Sequence, residues 1–196
     1  MNIAVYSGSF NPLHIGHLAI MKHLIEKAGF DMVYLVVSPK NPLKDSISSD
    51  SGHERYLAAI EAVNRHFSTS SPEAEDYAEA KIKVDDIELN MPEPHYSIRT
   101  LRALQEREPQ NTFTLVMGAD NLAGIRRWKE YRQILADFGT AVFPRESFDL
   151  SQIRQDLLNE DPTYKITLLD APLVTVSSTE IRNALSQGKN ISHLLM

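Results

Sequence analysis

The sequence predicts a doubly wound α/β domain, in which a mainly parallel sheet carries helices on both faces. Short, continuous apolar runs recur along the chain, and such runs are typical of strands that are buried on both faces. Segments with helical periodicity separate these runs, and an alternation of strands and helices indicates a parallel sheet. Ligands of such sheets bind beyond the carboxyl ends of the strands. The residues that directly follow each strand are therefore the first candidates for a functional site.

Each predicted element has its own signal. Four apolar, β-branched runs predict buried strands, at residues 2–6, 33–37, 113–117 and 140–143. Residues 81–89 alternate between apolar and polar side chains, which predicts a more exposed strand. Helical periodicity marks intervening segments, at residues 18–27, 54–66 and 98–106. Small residues after the first strand predict a tight turn into a helix that begins near Ile15.

Length and composition restrict the class of protein. A chain of 196 residues fits a single domain, residues 1–196, that is large enough to bury a core. The net charge of −6 argues against sequence-independent binding of nucleic acid, although a phosphate pocket needs only a few local cations. The lack of cysteine excludes disulfides and thiolate nucleophiles, and no apolar run is long enough to cross a membrane. We therefore expect a cytoplasmic protein.

The segment from Ser7 to His17 is the most informative part of the chain. It joins a strand to a helix N-terminus, where unpaired backbone N–H groups create an anion site. His14 and His17 are three residues apart and share one face of the first helical turn. Two imidazoles in this position suit phosphate chemistry better than packing. They lack a third nearby ligand, so we expect no metal held by the protein itself and take Mg²⁺ carried by a nucleotide as the metal.

Two stretches that follow predicted strands carry further candidates. Lys40 and Lys44 lie in a proline-stiffened loop after the second strand, where they can meet phosphates that enter at the histidines. Gly118 permits close backbone approach, and Asp120 can accept hydrogen bonds from a ribose. Trp128, the one tryptophan of the chain, lies in a basic region. Its side chain is expected either to pack against the core or to stack on an electron-poor ring.

A second helix N-terminus is predicted near the end of the chain. Ser177 and Glu180 have the spacing of a capping box, which accounts for both residues. The capping box does not account for three other polar side chains of the same first turn. Two hydroxyls and a guanidinium at a helix N-terminus make a second anion site, formed by Ser178, Thr179 and Arg182.

Together these stretches resemble a known family. The segment from Ser7 to His17 is similar to the G-x-F-[DN]-P-x-H-x-G-H signature of the nucleotidyltransferase superfamily. Further matches cover most of the chain, in the Pro-x-Lys loop, His53-x-Arg55, Tyr96-Ser97-x-x-Thr100-Leu101, Gly118-Ala119-Asp120-Asn121 with Trp128, and Ser177-Ser178-Thr179-Glu180-Ile181-Arg182. The set resembles the bacterial nicotinate-mononucleotide adenylyltransferases, which implies a Rossmann-like nucleotidyltransferase fold.

The resemblance implies a reaction of NAD biosynthesis, in which ATP·Mg²⁺ and nicotinate mononucleotide give nicotinate adenine dinucleotide and pyrophosphate. The catalytic residues that it implies are His14, His17 and Lys44. The ATP contacts that it implies are made by both histidines and by Gly8, Ser9, Phe10, Gly118, Asp120, Ser178, Thr179 and Arg182. The mononucleotide contacts that it implies are made by Asn11, Lys44, Ser97 and Trp128. We expect these small molecules as partners, neither nucleic acid nor a membrane, and the sequence is compatible with a homo-oligomer.

Three other functions stay open at the level of the sequence. Nicotinamide mononucleotide is an alternative acceptor, which only the surroundings of Ser97 and Trp128 can distinguish. Phosphopantetheine adenylyltransferases share the first and last motifs, but they have Thr where His14 stands and lack the block that contains Asp120. A nucleotide sensor without activity is the third alternative, although a sensor needs neither both histidines nor the loop lysine.

Overall fold

One parallel sheet of six strands forms the centre of the protein. The computed structural model describes residues 1–39, 51–67, 81–173 and 176–196. The strands are, in chain order, β1 (Asn2–Gly8), β2 (Met32–Val37), β3 (Ile82–Asp85), β4 (Thr112–Gly118), β5 (Thr140–Phe143) and β6 (Ile166–Leu168). Their order in the sheet is β3-β2-β1-β4-β5-β6, and each neighbouring pair is parallel. The predicted α/β class is confirmed.

The strand order determines where a ligand can bind. From β1 the chain proceeds to β2 and β3 on one side of the sheet, and it later forms β4, β5 and β6 on the other side. The connections therefore wind in opposite directions from the middle of the sheet. A crevice opens beyond the carboxyl ends of the strands at such a switch point. The segments that follow β1 and β4 border this crevice.

The helices of the described residues are α1 (Ile15–Glu26), α2 (Gly52–Phe67), α3 (Ser97–Arg107), α4 (Ala119–Ala123), α5 (Tyr131–Gln133), α6 (Leu150–Glu160) and α7 (Ser178–Ser186). Helices α1, α2 and α3 agree closely with the periodicities of the sequence, and α7 begins where the second helix N-terminus was predicted. Helices α4, α5 and α6 were not predicted. The capping box predicted at the start of α7 is present. None of these helices is long and apolar enough to cross a membrane.

Both faces of the sheet are buried. In β1, Ile3 and Val5 belong to one apolar cluster, whereas Ala4 and Tyr6 belong to a second one. This division follows from the alternation of side chains along a strand. Helices α1 and α2 contribute to the cluster that contains Ala4, and α3 and α6 contribute to the other. The continuous apolar runs of the sequence therefore reflect helices on both sides.

The structure corrects the expectation for residues 81–89. Strand β3 ends at Asp85, and Ile87–Asn90 form a 3₁₀ helix instead of a continued strand. The buried Asp85 carboxylate accepts a hydrogen bond from the N–H of Ile87 at 3.0 Å and pairs with Arg107 at 2.6 Å. An Asp that binds the backbone two residues later favours a turn, so the chain leaves the sheet here. The sequence analysis also missed α6 and the short strand β6.

Candidate active site

Two cavities adjoin at the carboxyl ends of β1 and β4. One, of about 310 Å³, is lined by His14 and His17 and is called the histidine cavity. The other, of about 400 Å³, is lined by Trp128 and is called the tryptophan cavity. Six residues line both cavities and are called the seam: Ser7, Gly8, Ser9, Val116, Met117 and Asn121. The switch point of the sheet therefore holds two chambers that meet.

His14 and His17 are oriented by the cap of α1. His14 is the N-cap residue, and its Nδ1 accepts a hydrogen bond from the N–H of Gly16 at 3.2 Å. The Nδ1 of His17 accepts from the N–H of His14, also at 3.2 Å, and the two ring centroids are 3.8 Å apart. Because each Nδ1 accepts, each neutral ring carries its proton on Nε2. Both rings therefore keep an N–H donor for an anion.

The surroundings of the two rings favour their neutral forms. Burial, together with a smaller contribution from the positive charge of Arg145, lowers the pKa of His14 to about 4. Burial also lowers the pKa of His17, with smaller contributions from His14 and Arg145. Both rings are thus uncharged at neutral pH in the absence of ligand. A bound anion opposes the effect of Arg145 and so favours protonation.

The turn after β1 is built around Phe10. Its backbone is left-handed, with a φ of 45°, which is unusual for a bulky residue and recurs at functional sites. Its buried ring packs edge-on against Tyr6 and His17, with centroid distances of 5.5 and 5.2 Å. A Cβ on Gly8 would lie 3.1 Å from this ring. Glycine at this position therefore lets Phe10 close over the strand and support His17.

Helix α7 is attached to the same turn through its first residues. Ser178 Oγ donates to the carbonyl of Pro12 at 3.2 Å, and Arg182 donates to the carbonyl of Asn11 at 2.6 Å. Arg182 also donates to Thr179 Oγ1 at 3.0 Å, so the hydroxyl proton of Thr179 is not used in that bond. The predicted second anion site borders the histidine cavity, and part of its donor capacity holds α7 against the turn.

The segments after β4 and β5 also line the histidine cavity. A Cβ on Gly118 would lie 2.5 Å from Asp120 Oδ1 and 3.2 Å from the ring of Phe143, so glycine lets Asp120 fold back over the strand end. Arg145 Nε is 3.8 Å from Asp120 Oδ1, and its guanidinium carbon is 5.3 Å from the Phe143 centroid. The sequence analysis missed Arg145, although its position just after a predicted strand was a usable signal.

Ser97 and Trp128 come together in the tryptophan cavity. Ser97 is the first residue of α3. Trp128 follows the 3₁₀ helix Ile125–Arg127, and its backbone N–H donates to the carbonyl of Ile125 at 2.8 Å. Trp128 is half-buried and packs against the core, while the cavity lies beside it. The core packing considered for this side chain is therefore observed, and its stacking on an electron-poor ring stays a prediction. Arg127 and Lys129 line the same cavity.

The structure collects most of the predicted site residues in these two cavities. Residues along the histidine cavity include all those predicted to contact ATP, together with Asn11: Gly8, Ser9, Phe10, Asn11, His14, His17, Gly118, Asp120, Ser178, Thr179 and Arg182. Ser97 and Trp128 lie in the neighbouring cavity. Lys44 and Lys40 lie outside the described residues.

Two buried charged residues near the site had been assigned no role. Arg55, in α2, donates to the carbonyls of Ser9, Ser38 and Pro39 at 2.6, 2.8 and 2.6 Å. It therefore ties the segment after β1 to the segment after β2. The signal in the sequence is an arginine on the apolar face of α2. Glu88 is the second residue, and the alternating pattern of residues 81–89 concealed it.

The donor set of the histidine cavity fits a metal ion that arrives on a nucleotide. Within the described part of the chain, no group of three or more His, Asp or Glu side chains is placed to hold a metal. Among the described residues that line this cavity, Asp120 is the one that carries a carboxylate. Mg²⁺ in such sites is held largely by substrate phosphates and water.

Comparison with known proteins establishes the family. The model of the cytidylyltransferase-like family matches residues 5–184, so the chain belongs to this family of nucleotidyltransferases. A relative from Flavobacterium johnsoniae, named "Probable nicotinate-nucleotide adenylyltransferase", is 39% identical over 195 residues, which are 100% of this chain and 92% of the relative. A relative of the same name from Cytophaga hutchinsonii is 34% identical over 195 residues, with 100% and 91% covered. Within the family, the chain belongs to the nicotinate-nucleotide adenylyltransferases.

The fold also has a counterpart among solved structures. The nicotinic acid mononucleotide adenylyltransferase of Plasmodium falciparum, solved in complex with NaAD, matches with a TM-score of 0.75 and 22% sequence identity. The match covers 98% of this chain and 87% of that chain. At this identity the likeness concerns the fold, and it agrees with the class that the sequence predicts.

Proposed function

We propose that this chain transfers the adenylyl group of ATP to nicotinate mononucleotide, which forms nicotinate adenine dinucleotide and releases pyrophosphate in NAD biosynthesis. The observation that carries the proposal is the pair of cavities that meet at the seam. One is lined by two imidazole donors, hydroxyls and guanidiniums, and the other by an indole. An enzyme that joins two nucleotides needs this arrangement, because the phosphates must meet while the two bases stay apart.

The reaction is an in-line substitution at phosphorus. A phosphate oxygen of the mononucleotide forms a bond to the α-phosphorus of ATP, while the bond from that phosphorus to the β-bridging oxygen breaks and pyrophosphate leaves. No covalent enzyme intermediate is required, so catalysis consists of positioning and stabilisation of charge. His14 and His17 donate their Nε2–H groups to the reacting phosphates. Such preorganised donors stabilise the charge that develops in the transition state.

The triphosphate of ATP occupies the histidine cavity. Arg182 and the Thr179 hydroxyl bind its phosphates from the N-terminus of α7, where the helix dipole favours an anion. Arg145 adds a cation from the segment after β5, and Asp120 accepts a hydrogen bond from the ribose of ATP. Mg²⁺, when it arrives with ATP, neutralises charge on the phosphates. By family resemblance, Lys44 contacts the departing pyrophosphate.

The mononucleotide occupies the tryptophan cavity, with its phosphate across the seam. The indole of Trp128 stacks on the electron-poor pyridine ring. Ser97 and the backbone N–H groups of the α3 N-terminus receive the carboxylate of the base, since a helix N-terminus attracts negative charge. Arg127 and Lys129 raise the local positive potential. This charge supports the acid as the substrate over the neutral amide.

Pyrophosphate release from Mg²⁺·ATP tests the proposal, with nicotinate mononucleotide, nicotinamide mononucleotide and phosphopantetheine offered separately. We expect strong preference for the first acceptor. Preference for the amide would refute the assignment of Ser97 and its surroundings. Failure with all three acceptors, despite measurable ATP binding, would refute the catalytic role and favour a sensor.

A pair of loop variants tests the role assigned to Lys44. We expect Lys44→Ala to lower kcat, because the leaving pyrophosphate loses a cation. Lys40→Ala is the matched control, since it removes the same charge four residues earlier in the sequence. Equal losses of kcat in the two variants would show that only the overall charge of this stretch matters.

A further inference from the structure

A buried carboxylate lies where the seam meets the tryptophan cavity. Glu88, in the 3₁₀ helix after β3, is 3% exposed. Its Oε1 accepts hydrogen bonds from Ser7 Oγ at 3.0 Å and from Thr100 Oγ1 at 2.8 Å, and its Oε2 accepts from Ser38 Oγ at 2.6 Å. We call these four side chains the Glu88 cluster. The cluster connects the ends of β1 and β2 to the first turns of α3.

The Glu88 cluster contains four hydrogen-bond contacts but only three hydroxyl protons, those of Ser7, Ser38 and Thr100. An ionised carboxylate only accepts, so each of the three hydroxyls uses its single proton on Glu88. The Oγ atoms of Ser7 and Ser38 also lie 3.0 Å apart, and no proton is left for that contact. Two acceptor oxygens side by side are best satisfied by a donor from outside the cluster.

Such a donor can come from the tryptophan cavity. Ser7, Ser38 and Glu88 all line it, whereas Thr100 does not. Because the two serine protons are committed to the carboxylate, the serines offer only acceptor lone pairs to a ligand. Glu88 thereby converts two hydroxyls, which usually donate or accept equally well, into a surface that selects donors.

The chemistry of a mononucleotide places its ribose at this surface. Its three parts follow in the order base, ribose and phosphate. With the base beside Trp128 and the phosphate beside His17, the ribose lies across the seam. Ser7 belongs to the seam, and Ser38 lies beside Ser7. A ribose carries two adjacent hydroxyls, each of which is a donor that can serve this pair of acceptors.

We infer that the Glu88 cluster accepts hydrogen bonds from the ribose hydroxyls of the mononucleotide, with Glu88 as the positioning residue that makes acceptors of Ser7 and Ser38. This inference rests on the proposed function, because that function assigns the mononucleotide to the tryptophan cavity. It gives the seam a specificity role, in which a ribonucleotide is preferred to an analogue that lacks one hydroxyl.

The experiment compares nicotinate mononucleotide with its 2′-deoxy and 3′-deoxy analogues. Binding is followed by the fluorescence of Trp128, the one tryptophan of the chain, and turnover by pyrophosphate release. In the unsubstituted protein we expect at least one analogue to bind about tenfold more weakly than the parent nucleotide. In Glu88→Gln the amide N–H donates into the cluster and turns a serine proton toward the cavity. In this variant the same analogue should bind less than about twofold more weakly than the parent nucleotide.

Two further variants separate this role from a structural one. Ser38→Ala removes one acceptor and should also shrink the deoxy penalty, which keeps the test valid if Glu88→Gln does not fold. Thr100→Val is the matched control, since it removes a donor to the same carboxylate away from the cavity. The deoxy penalty should persist in that variant. In the Glu88→Gln and Ser38→Ala variants, the KM for the mononucleotide should change more than the KM for ATP.

The outcomes distinguish this inference from the proposed reaction. The inference is overturned if neither analogue binds more weakly than the parent, or if the penalty is the same in the unsubstituted protein, Glu88→Gln and Ser38→Ala. If the nucleotide binds with the expected dependence on ribose and on Glu88 but no pyrophosphate is released, the proposed reaction alone fails.

Discussion

Substitution of His17 can separate the structural and chemical roles of one imidazole. Its Nδ1 accepts a hydrogen bond from the N–H of His14 at 3.2 Å and thereby caps α1. Its Nε2 carries the proton that we assign to the reacting phosphate. The two functions lie at different atoms of the ring. Asparagine can replace the Nδ1 acceptor but has no group at the Nε2 position, whereas the longer glutamine places an amide N–H near Nε2.

The two variants are expected to differ in kcat and not in stability. His17→Asn keeps the cap and loses the donor, so kcat should fall about 10²- to 10³-fold, the usual effect of removing one preorganised donor. His17→Gln keeps an amide N–H donor, and glutamine at the third position of a helix also accepts from the N–H of the N-cap residue. Its kcat should therefore fall less than that of His17→Asn. The melting temperature of both variants should stay close to that of the unsubstituted protein.

The assay combines pyrophosphate release under saturating substrates with thermal unfolding followed by circular dichroism. The expected result is a low kcat for His17→Asn and a higher kcat for His17→Gln, with normal stability in both variants. If His17→Asn retains near-normal kcat, His17 does not stabilise the transition state, and its position at the cavity is explained by capping alone. Equal losses of kcat in both variants would show that the amide cannot reproduce the Nε2 donor.

Three other predictions follow from the geometry. Trp128→Ala should raise the KM for nicotinate mononucleotide about tenfold and the KM for ATP much less; equal increases would contradict stacking. Arg182→Ala should raise the KM for ATP about tenfold or more, because a charged donor is lost and the carbonyl of Asn11 loses its partner. An unchanged KM, together with a lower melting temperature, would assign Arg182 to structure alone. The free energy of unfolding should fall as the pH drops from about 6.5 toward 4, because unfolded His14 binds a proton that the folded ring, with its pKa lowered to about 4, does not. The effect amounts to roughly 3 kcal/mol, and it should be smaller in His14→Gln when thermal melts at neutral pH and at about pH 4 are compared.

The fold was predictable because its strands are buried on both faces. The run at residues 140–143 coincides with β5, and the helix expected near Ile15 begins there. Strand β6 has three residues and lies at the edge of the sheet, so its pattern is too short to distinguish from a loop. At the turn, the Asp85 carboxylate that binds the N–H of Ile87 is also held by Arg107, which is 22 residues away. Local periodicity does not contain such a contact.

The candidate site was predictable to the extent that its residues come from motifs after strands. His14, Gly118 and Trp128 belong to recognisable stretches, and the structure places all three around the seam or the cavities beside it. Glu88 was not recognised, and Arg55 was matched in His53-x-Arg55 without a role, because each acts on backbone or hydroxyl groups of distant segments. A buried charge of this kind becomes visible only when the partners that satisfy it are known.

The neutral state of the histidines fits the charge changes of the proposed reaction. Before ATP binds, burial and Arg145 keep both rings uncharged, so no counter-ion has to be held in the histidine cavity. A triphosphate brings negative charge to the same place and favours protonation of the rings, which strengthens their Nε2–H donors as charge moves onto the leaving group. Arg145 therefore has two effects: it attracts the triphosphate and also delays protonation of the histidines until the phosphates are bound. On this account, Arg145→Ala should bind ATP more weakly and also raise the pKa of His14 in the unliganded protein. NMR titration of the imidazole resonances measures that pKa, and a value that stays at about 4 would show that burial alone keeps the ring neutral.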